Sequence, residues 1–425
     1  MNQLTGKNDP PDEWLEAGAA AELLGVKRAT LYAYVSRGRV ESRSAGEGRK
    51  RAYRKADLLR LKASTDARAG HAAVAAGALR WGEPVLDSTI TRIDAAGPVY
   101  RGHSAVDLAA DGVTFERVAE LLLGETLPDE ASWDEPLSLG PAGALAALVP
   151  DGARPIHAAM LALPALAMRD PARFDIAPEA ELAIARRIIR SVIASLGLAR
   201  SATAARAAAA APTAAAAFAA AFEVRPTRRV RAAIDAALVL CADHELNASS
   251  FAARVAASAG ADPYACASAA LATLSGSRHG GMTARVAALC DEVDLPERAT
   301  RVLRDRLRRG DEIPGFGHPL YPEGDPRAEP LIAHARALAP TARWVRVLAA
   351  LVDTVDLVGG GRPTLDVGLV AVSAALGLGS GGALALFAAG RSAGWLAHAL
   401  EQRATGVLLR PRARYVGSPA LSSER

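Results

Sequence analysis

Along most of the chain, apolar positions recur three and four residues apart, and glycine or proline separates one run from the next. The spacing predicts helices over 115–123, 143–149, 187–198, 228–241, 249–258, 264–274, 282–292, 297–309, 326–338, 343–356, 366–377 and 382–402. Strand-like signals in this stretch are confined to short pieces around Thr91–Arg92 and Val99–Tyr100. Such a pattern describes an all-α body. The alanine-rich run 201–222 is expected to form a surface helix pair or loop, because alanine favours helix and Pro212 interrupts it.

The start of the chain has a different texture. Ala19, Ala20, Leu23 and Leu24 have helical spacing, and Gly25 ends the pattern. A second short helix presents Leu31, Tyr34 and Val35 and ends at Gly38. Val40 to Tyr53 alternates around the turn-like SAGEG, which predicts a two-stranded wing, and residues 56–62 close the unit. The expected layout is a winged helix-turn-helix module at 1–64, a linker at 65–80 and a helical body from 81 onward.

Charge sharpens this division. Residues 1–70 hold fourteen Lys/Arg and nine Asp/Glu, a net of +5, whereas the whole chain carries +4. The body is therefore nearly neutral and the basic excess belongs to the first segment. Lys27, Arg28, Thr30 and Tyr34 fall on its second helix, and Arg49, Lys50, Arg51, Arg54 and Lys55 fall on the wing. That footprint suits contacts to DNA phosphates, and equally the solvated surface of a small docking domain. Cys241, Cys266 and Cys290 have neither pairing number nor metal spacing, and read as core thiols in a reducing compartment. No run of eighteen apolar residues is free of charge, and the first residues lack a secretory pattern, so a cytoplasmic location without a membrane span is expected.

Candidate chemistry lies in motifs dense in glycine, proline and histidine. Taken alone, Asp366 reads first as a helix N-cap, and His279 as a capping or core histidine. His318 sits in Gly-Phe-Gly-His-Pro, which indicates a shaped loop rather than a core helix. No metal constellation appears, and the glycines at 359–361 lack a surrounding βαβ unit.

In order along the chain, LDSTITRIDAAGPVYRG at 86–102, DHELNASSFAARVAAS at 243–258, LSGSRHGG at 274–281, GFGHPLYPEGDPRA at 315–328, RPTLDVGL at 362–369, GRSAGWLAHALEQ at 390–402 and LLRPRARYVG at 408–417 resemble the citrate synthase family. The resemblance spans about residues 79–417. It implies a two-domain helical fold, with a large domain at 81–248 plus 355–425 and a small domain at 249–354 on the acyl-CoA side. The first 62 residues separately resemble a MerR- or excisionase-like helix-turn-helix.

The resemblance also implies roles. Asp366 is the base that takes the proton next to a thioester, His279 the donor to the thioester oxygen, and His318 the donor to a ketone. His244, Arg327, Arg391 and Arg410 hold a 2-oxo dicarboxylic acid, the arginines by bidentate pairs. Arg327 is expected in the first turn of a helix opened by Pro326, where an anion would relieve its conflict with the helix dipole. Ile313, Pro314 and Gly315 resemble the stretch that meets the CoA adenine. A homodimer with shared sites is implied, with Arg410 reaching the partner. The activity expected is condensation of acetyl-CoA with oxaloacetate, with no cofactor, since the CoA thioester is a substrate. Propionyl-CoA, giving 2-methylcitrate, and a metabolite-sensing DNA-binding regulator are the alternatives. Thr364 stands where the family has Asn, and Arg278, Met282 and Thr283 also depart from its pattern. Trp395 and His398 read as packing residues.

Overall fold

The computed structural model describes residues 14–24, 26, 28–36, 40–44, 51–55, 57–58, 86–133, 135–411 and 417, in two compact units drawn from 1–87 with 410–425 and from 88–409. In the first unit, β1 (Trp14–Glu16) precedes α1 (Ala17–Leu24) and α2 (Arg28–Ser36), followed by β2 (Ser42–Ser44) and β3 (Arg51–Arg54). β2 and β3 form the antiparallel wing that the alternation predicts, and β1 adds a third strand on the other side of β3. Three residues are too few to show a period of two, so β1 left no signal.

Ala20, Leu31, Val40, Tyr53 and Leu58 make the core of this unit, and Tyr34 packs partly buried against it. The Asp57 carboxylate accepts from Glu41 N at 2.9 Å, which ties the segment after the wing back to its beginning. The expected linker at 65–80 and the wing tip lie outside the described residues.

The second unit is predominantly helical. Its one sheet is the antiparallel β4 (Thr91–Asp94), β5 (Gly97–Tyr100) and β6 (His103–Ser104). The helices are α3 (Ala105–Ala110), α4 (Phe115–Gly124), α5 (Ala142–Ala147), α6 (Pro155–Ala167), α7 (Pro178–Leu196), α8 (Ala202–Ala209), α9 (Ala214–Ala221), α10 (Arg228–Cys241), α11 (Ala248–Ser258), α12 (Pro263–Leu274), α13 (Met282–Val293), α14 (Ala299–Arg309), α15 (Ala328–Leu338), α16 (Arg343–Val355), α17 (Leu365–Leu376) and α18 (Gly382–Thr405). None among the described residues is long and apolar enough to cross a membrane.

Two expectations need correction. α6 was hidden by its prolines, yet Pro155 occupies the first helical turn, where no donor is needed, and the exposed Pro164 is tolerated inside. The alanine-rich run does form a helix pair split at Pro212, but not a surface one. Ala205, Ala215, Phe218 and Ala219 are fully buried, because methyl side chains let α8 and α9 approach α7 closely.

Three features place the functional residues. The buried Tyr100 hydroxyl of β5 meets the carbonyls of Val239 and Asp243, at 3.0 and 3.1 Å, so the small sheet fixes the end of α10. α18 passes that end closely: a Cβ on Gly390 would come within 2.5 Å of Leu238 O, and one on Gly394 within 2.3 Å of Asp243 Oδ1. Finally, Gly317 N donates to Arg362 O and Thr364 N to Gly315 O, both at 2.8 Å, bridging the loop after Ile313 to the start of α17.

Candidate active site

His318 stands on a loop bent by Gly315, Gly317 and Gly324, all at positive φ, where only glycine fits without strain. Leu320 N donates to His318 Nδ1 at 3.1 Å. That nitrogen is therefore the acceptor, and in the neutral ring the proton is left on Nε2, free to be donated. Burial holds the ring below the usual histidine range, with Arg327 assisting and Asp325 opposing.

The ring of His244 lies 6.0 Å from that of His318, and its Nε2 is 2.8 Å from the Tyr321 hydroxyl. Tyr321 is a site residue that the sequence reading missed, although it sits inside a quoted motif. Its ring is 5.0 Å from His318 and 5.6 Å from the Arg327 guanidinium carbon. Burial, and then the charges of Arg327 and Arg391, keep His244 well below its ordinary pKa.

Arg327 is the residue immediately before α15, two positions earlier in the helix than expected, and Pro326 lies outside that helix. Its Nε and Nη2 already fork onto Asp325, at 2.9 and 2.8 Å, with both side chains buried. The anion that relieves Arg327 is thus internal. That edge of the guanidinium is taken by Asp325, and the outer edge, with one N–H on each of Nη1 and Nη2, is the one left to meet a carboxylate.

Arg391 is buried on α18. Its Nε donates to Cys241 O at 2.6 Å, and its guanidinium lies over Phe387 at 4.6 Å. Among the described residues its two terminal nitrogens have no hydrogen-bond partner. The ring of His279 meets Phe387 edge to face, with centroids 6.0 Å apart. His279 lies three residues before α13, separated from it by Gly280 and Gly281, and its Nε2 is 2.8 Å from Ser249 Oγ. Burial, with Arg391 second, pushes its pKa down to about 4, so the ring is neutral near pH 7.

Asp366 lies in the first turn of α17, partly buried. Burial pushes its pKa up to about 6, against Arg327 and with Asp325. A carboxylate in that range is a competent base near neutrality.

The remaining expected residues are less central. Ile313 and Pro314 are buried, and a Cβ on Gly315 would strike Val286 and Val367 within 2.8 Å. The carbonyls of Ile313 and Gly315 accept from Phe316 N and Thr364 N. Arg410 is an exposed coil residue after α18 and is grouped with the other unit. Thr30 and Arg51 are exposed on α2 and β3; Arg28 is described by its backbone alone, and Lys27 lies outside the described residues.

The arrangement defines a class: a helical protein with a buried histidine, carboxylate and arginine site, preceded by a helix-turn-helix domain. Residues 78–412 match the family described as citrate synthase, C-terminal domain, and 14–66 match a helix-turn-helix domain. The chain belongs to the citrate synthase family. It is 38% identical over 200 residues to a citrate synthase of Haloferax volcanii, covering 46% of this chain and 53% of that one. It thus spans about half the length of that relative. A 2-methylcitrate synthase of Mycobacterium tuberculosis is 30% identical over 332 residues, 75% of this chain and 84% of that one. The ternary complex of the Thermoplasma acidophilum citrate synthase with carboxymethyl coenzyme A and oxaloacetate superposes with a TM-score of 0.68 and 26% identity, covering 80% of this chain and 95% of that one.

Proposed function

We propose that the chain condenses acetyl-CoA with oxaloacetate, giving citrate and CoA through an enol intermediate. The observation that carries this reading is Arg391: a buried guanidinium with two uncommitted terminal nitrogens, beside neutral histidines and a carboxylate of raised pKa. A buried cation without a partner is costly, and an anionic substrate offsets that cost.

Asp366 takes a proton from the carbon next to the thioester while His279 donates to the developing enol oxygen. The enol carbon attacks the ketone of the oxo acid, and His318 Nε2–H donates to the alkoxide that forms. Arg391, with His244 and the outer edge of Arg327, holds the carboxylates. Water then cleaves the thioester and releases CoA. The acyl-CoA enters from the His279 side, with the 313–315 segment near its adenine. CoA arrives as substrate, so no separate cofactor is drawn upon. Thiol release from acetyl-CoA that depends on oxaloacetate tests the reading, and its absence across a panel of acyl-CoAs and oxo acids overturns it.

Propionyl-CoA is a second substrate candidate, favoured by the likeness to the 2-methylcitrate synthase, which extends over 84% of that chain. One methylene is discriminated only about 10–200-fold. Relative kcat/KM for the two thioesters decides between them.

The N-terminal domain fits duplex DNA in the cytoplasm, with Thr30 and the 52% exposed Tyr32 on the open face of α2 and Arg51 on the wing. A homodimer would present two such domains. Arg51→Ala should weaken DNA binding and lower its salt slope by about one; binding that is indifferent to salt would argue for a protein partner.

A further inference from the structure

Arg391, Trp395, His398 and Gln402 recur at intervals of four, three and four, so they form one stripe along α18. All four are buried. Arg391 belongs to the site itself, Gln402 accepts from Arg254 Nε at 3.0 Å, and the two middle ones, which sequence alone assigned to packing, make polar contacts that lead to site residues.

Trp395 Nε1 donates to Ser249 Oγ at 3.0 Å, and Ser249 Oγ is the partner of His279 Nε2. An indole N–H can only donate, so it occupies one lone pair of the hydroxyl. In the structure Ser249 Oγ donates to Asn247 Oδ1 at 2.7 Å, although that oxygen also accepts from Ser249 N and Ser250 N. When the proton goes to His279 Nε2 instead, the imidazole proton sits on Nδ1. That is the tautomer able to donate away from Ser249, toward a thioester.

His398 and Asp243 are both fully buried, with Nε2 3.3 Å from Asp243 Oδ2. On the other side, Arg254 Nη1 is 3.5 Å from His398 Nδ1 and 2.7 Å from Glu401 Oε2. Arginine only donates, so Nδ1 accepts and Nε2–H faces the carboxylate. Asp243 in turn accepts from Glu245 N at 3.1 Å, holding a turn in which Glu245 has φ 57. His244 lies between them.

We propose that Trp395 and His398 are positioning residues with separate charges of duty: Trp395 sets the tautomer of His279 for the acyl-CoA half of the reaction, and His398, through Asp243, sets the ring of His244 for the oxo-acid half. This rests on the condensing reading above. The two residues are one helical turn apart, yet their hydrogen bonds lead to different substrates.

The test separates the halves. Exchange of the acetyl-CoA α-protons with solvent, with a non-reacting oxo-acid analogue bound, reports on enolisation, and calorimetric titration reports on oxaloacetate binding. Trp395→Phe keeps the ring and loses the donor; exchange should fall about tenfold, the size of one lost hydrogen bond, with oxaloacetate Kd within about twofold. His398→Met should do the reverse, weakening oxaloacetate about tenfold while exchange at saturation holds. His398→Gln, whose amide can donate to Asp243 and accept from Arg254, should restore binding. Where His398→Met does not fold, His398→Asn, one carbon shorter than Gln, gives the same comparison. Both readouts moving together in either variant, or neither moving, overturns the inference while leaving the condensing reading intact. A wild-type chain that neither exchanges nor condenses overturns the condensing reading and the inference with it.

Discussion

Asp325 Oδ2 accepts the backbone N–H of Leu365 at 3.0 Å, across forty residues of chain, while the same carboxylate forks onto Arg327. Thr364, the N-cap position of α17, makes no side-chain capping bond. Asp325 therefore does a capping residue's work from another segment, and it joins the oxo-acid arginine to the turn that carries Asp366.

Removing that charge has two consequences. Asp325→Asn leaves Arg327 buried without its counter-ion and should cost about 3–5 kcal/mol in urea unfolding. Because Asp325 raises the Asp366 pKa, the variant's acid limb of kcat/KM should move below the wild-type position near pH 6. An acid limb that stays in place would mean the two carboxylates do not interact.

Asp366→Asn should abolish α-proton exchange while oxaloacetate still binds. Its stability has a definite sign. The Asp366 pKa is raised from 3.8 to about 6 by folding, so the favourable contribution is complete below the lower value and disappears as pH rises through the upper one. The asparagine variant lacks that loss. It should match wild type near pH 4 and exceed it above pH 7 by at most ~3 kcal/mol. Equal unfolding curves at pH 8 would show that Asp366 is better solvated than its position implies.

His318→Ala removes a donor aimed at the ketone and should lower kcat on the order of 10²–10³. A loss under tenfold would reduce His318 to a shaper of its loop.

Arg410 is expected from the resemblance to serve a substrate carboxylate, and it falls in the unit that does not hold the other candidate residues. If it serves the partner's site, two dead chains, Asp366→Asn and Arg410→Ala, should complement each other. With random pairing, half the dimers are mixed and one of their two sites is intact, so roughly a quarter of wild-type activity should return. Mixed dimers that stay inactive would confine Arg410 to its own chain.

The helical body was legible because most helices show one buried stripe, whereas His279, His318 and Asp366 were singled out by motifs that resemble a family's: taken alone, Asp366 between Leu365 and Val367 reads as a helix cap. What escaped depends on partners distant in sequence. Ser249 reads as an ordinary helix residue until His279 and Trp395 meet its hydroxyl, 30 and 146 residues away. The spacing of Arg391, Trp395 and His398 was visible, but nothing in it distinguishes packing from hydrogen bonding. Asp325 was read as part of a motif rather than as a cap, since capping is sought within the same few residues.

The pairing of Gly315–Gly317 with Arg362–Thr364 uses main-chain groups only. His318 and Asp366, the proposed donor to the ketone and the proposed base, are thereby mounted on one piece of framework. Any motion that reshapes the pocket must carry them together, and their separation does not depend on which side chains occupy the joint. Drift at such a position is cheap, because the joint at Thr364 is made by its backbone N–H and not by its side chain.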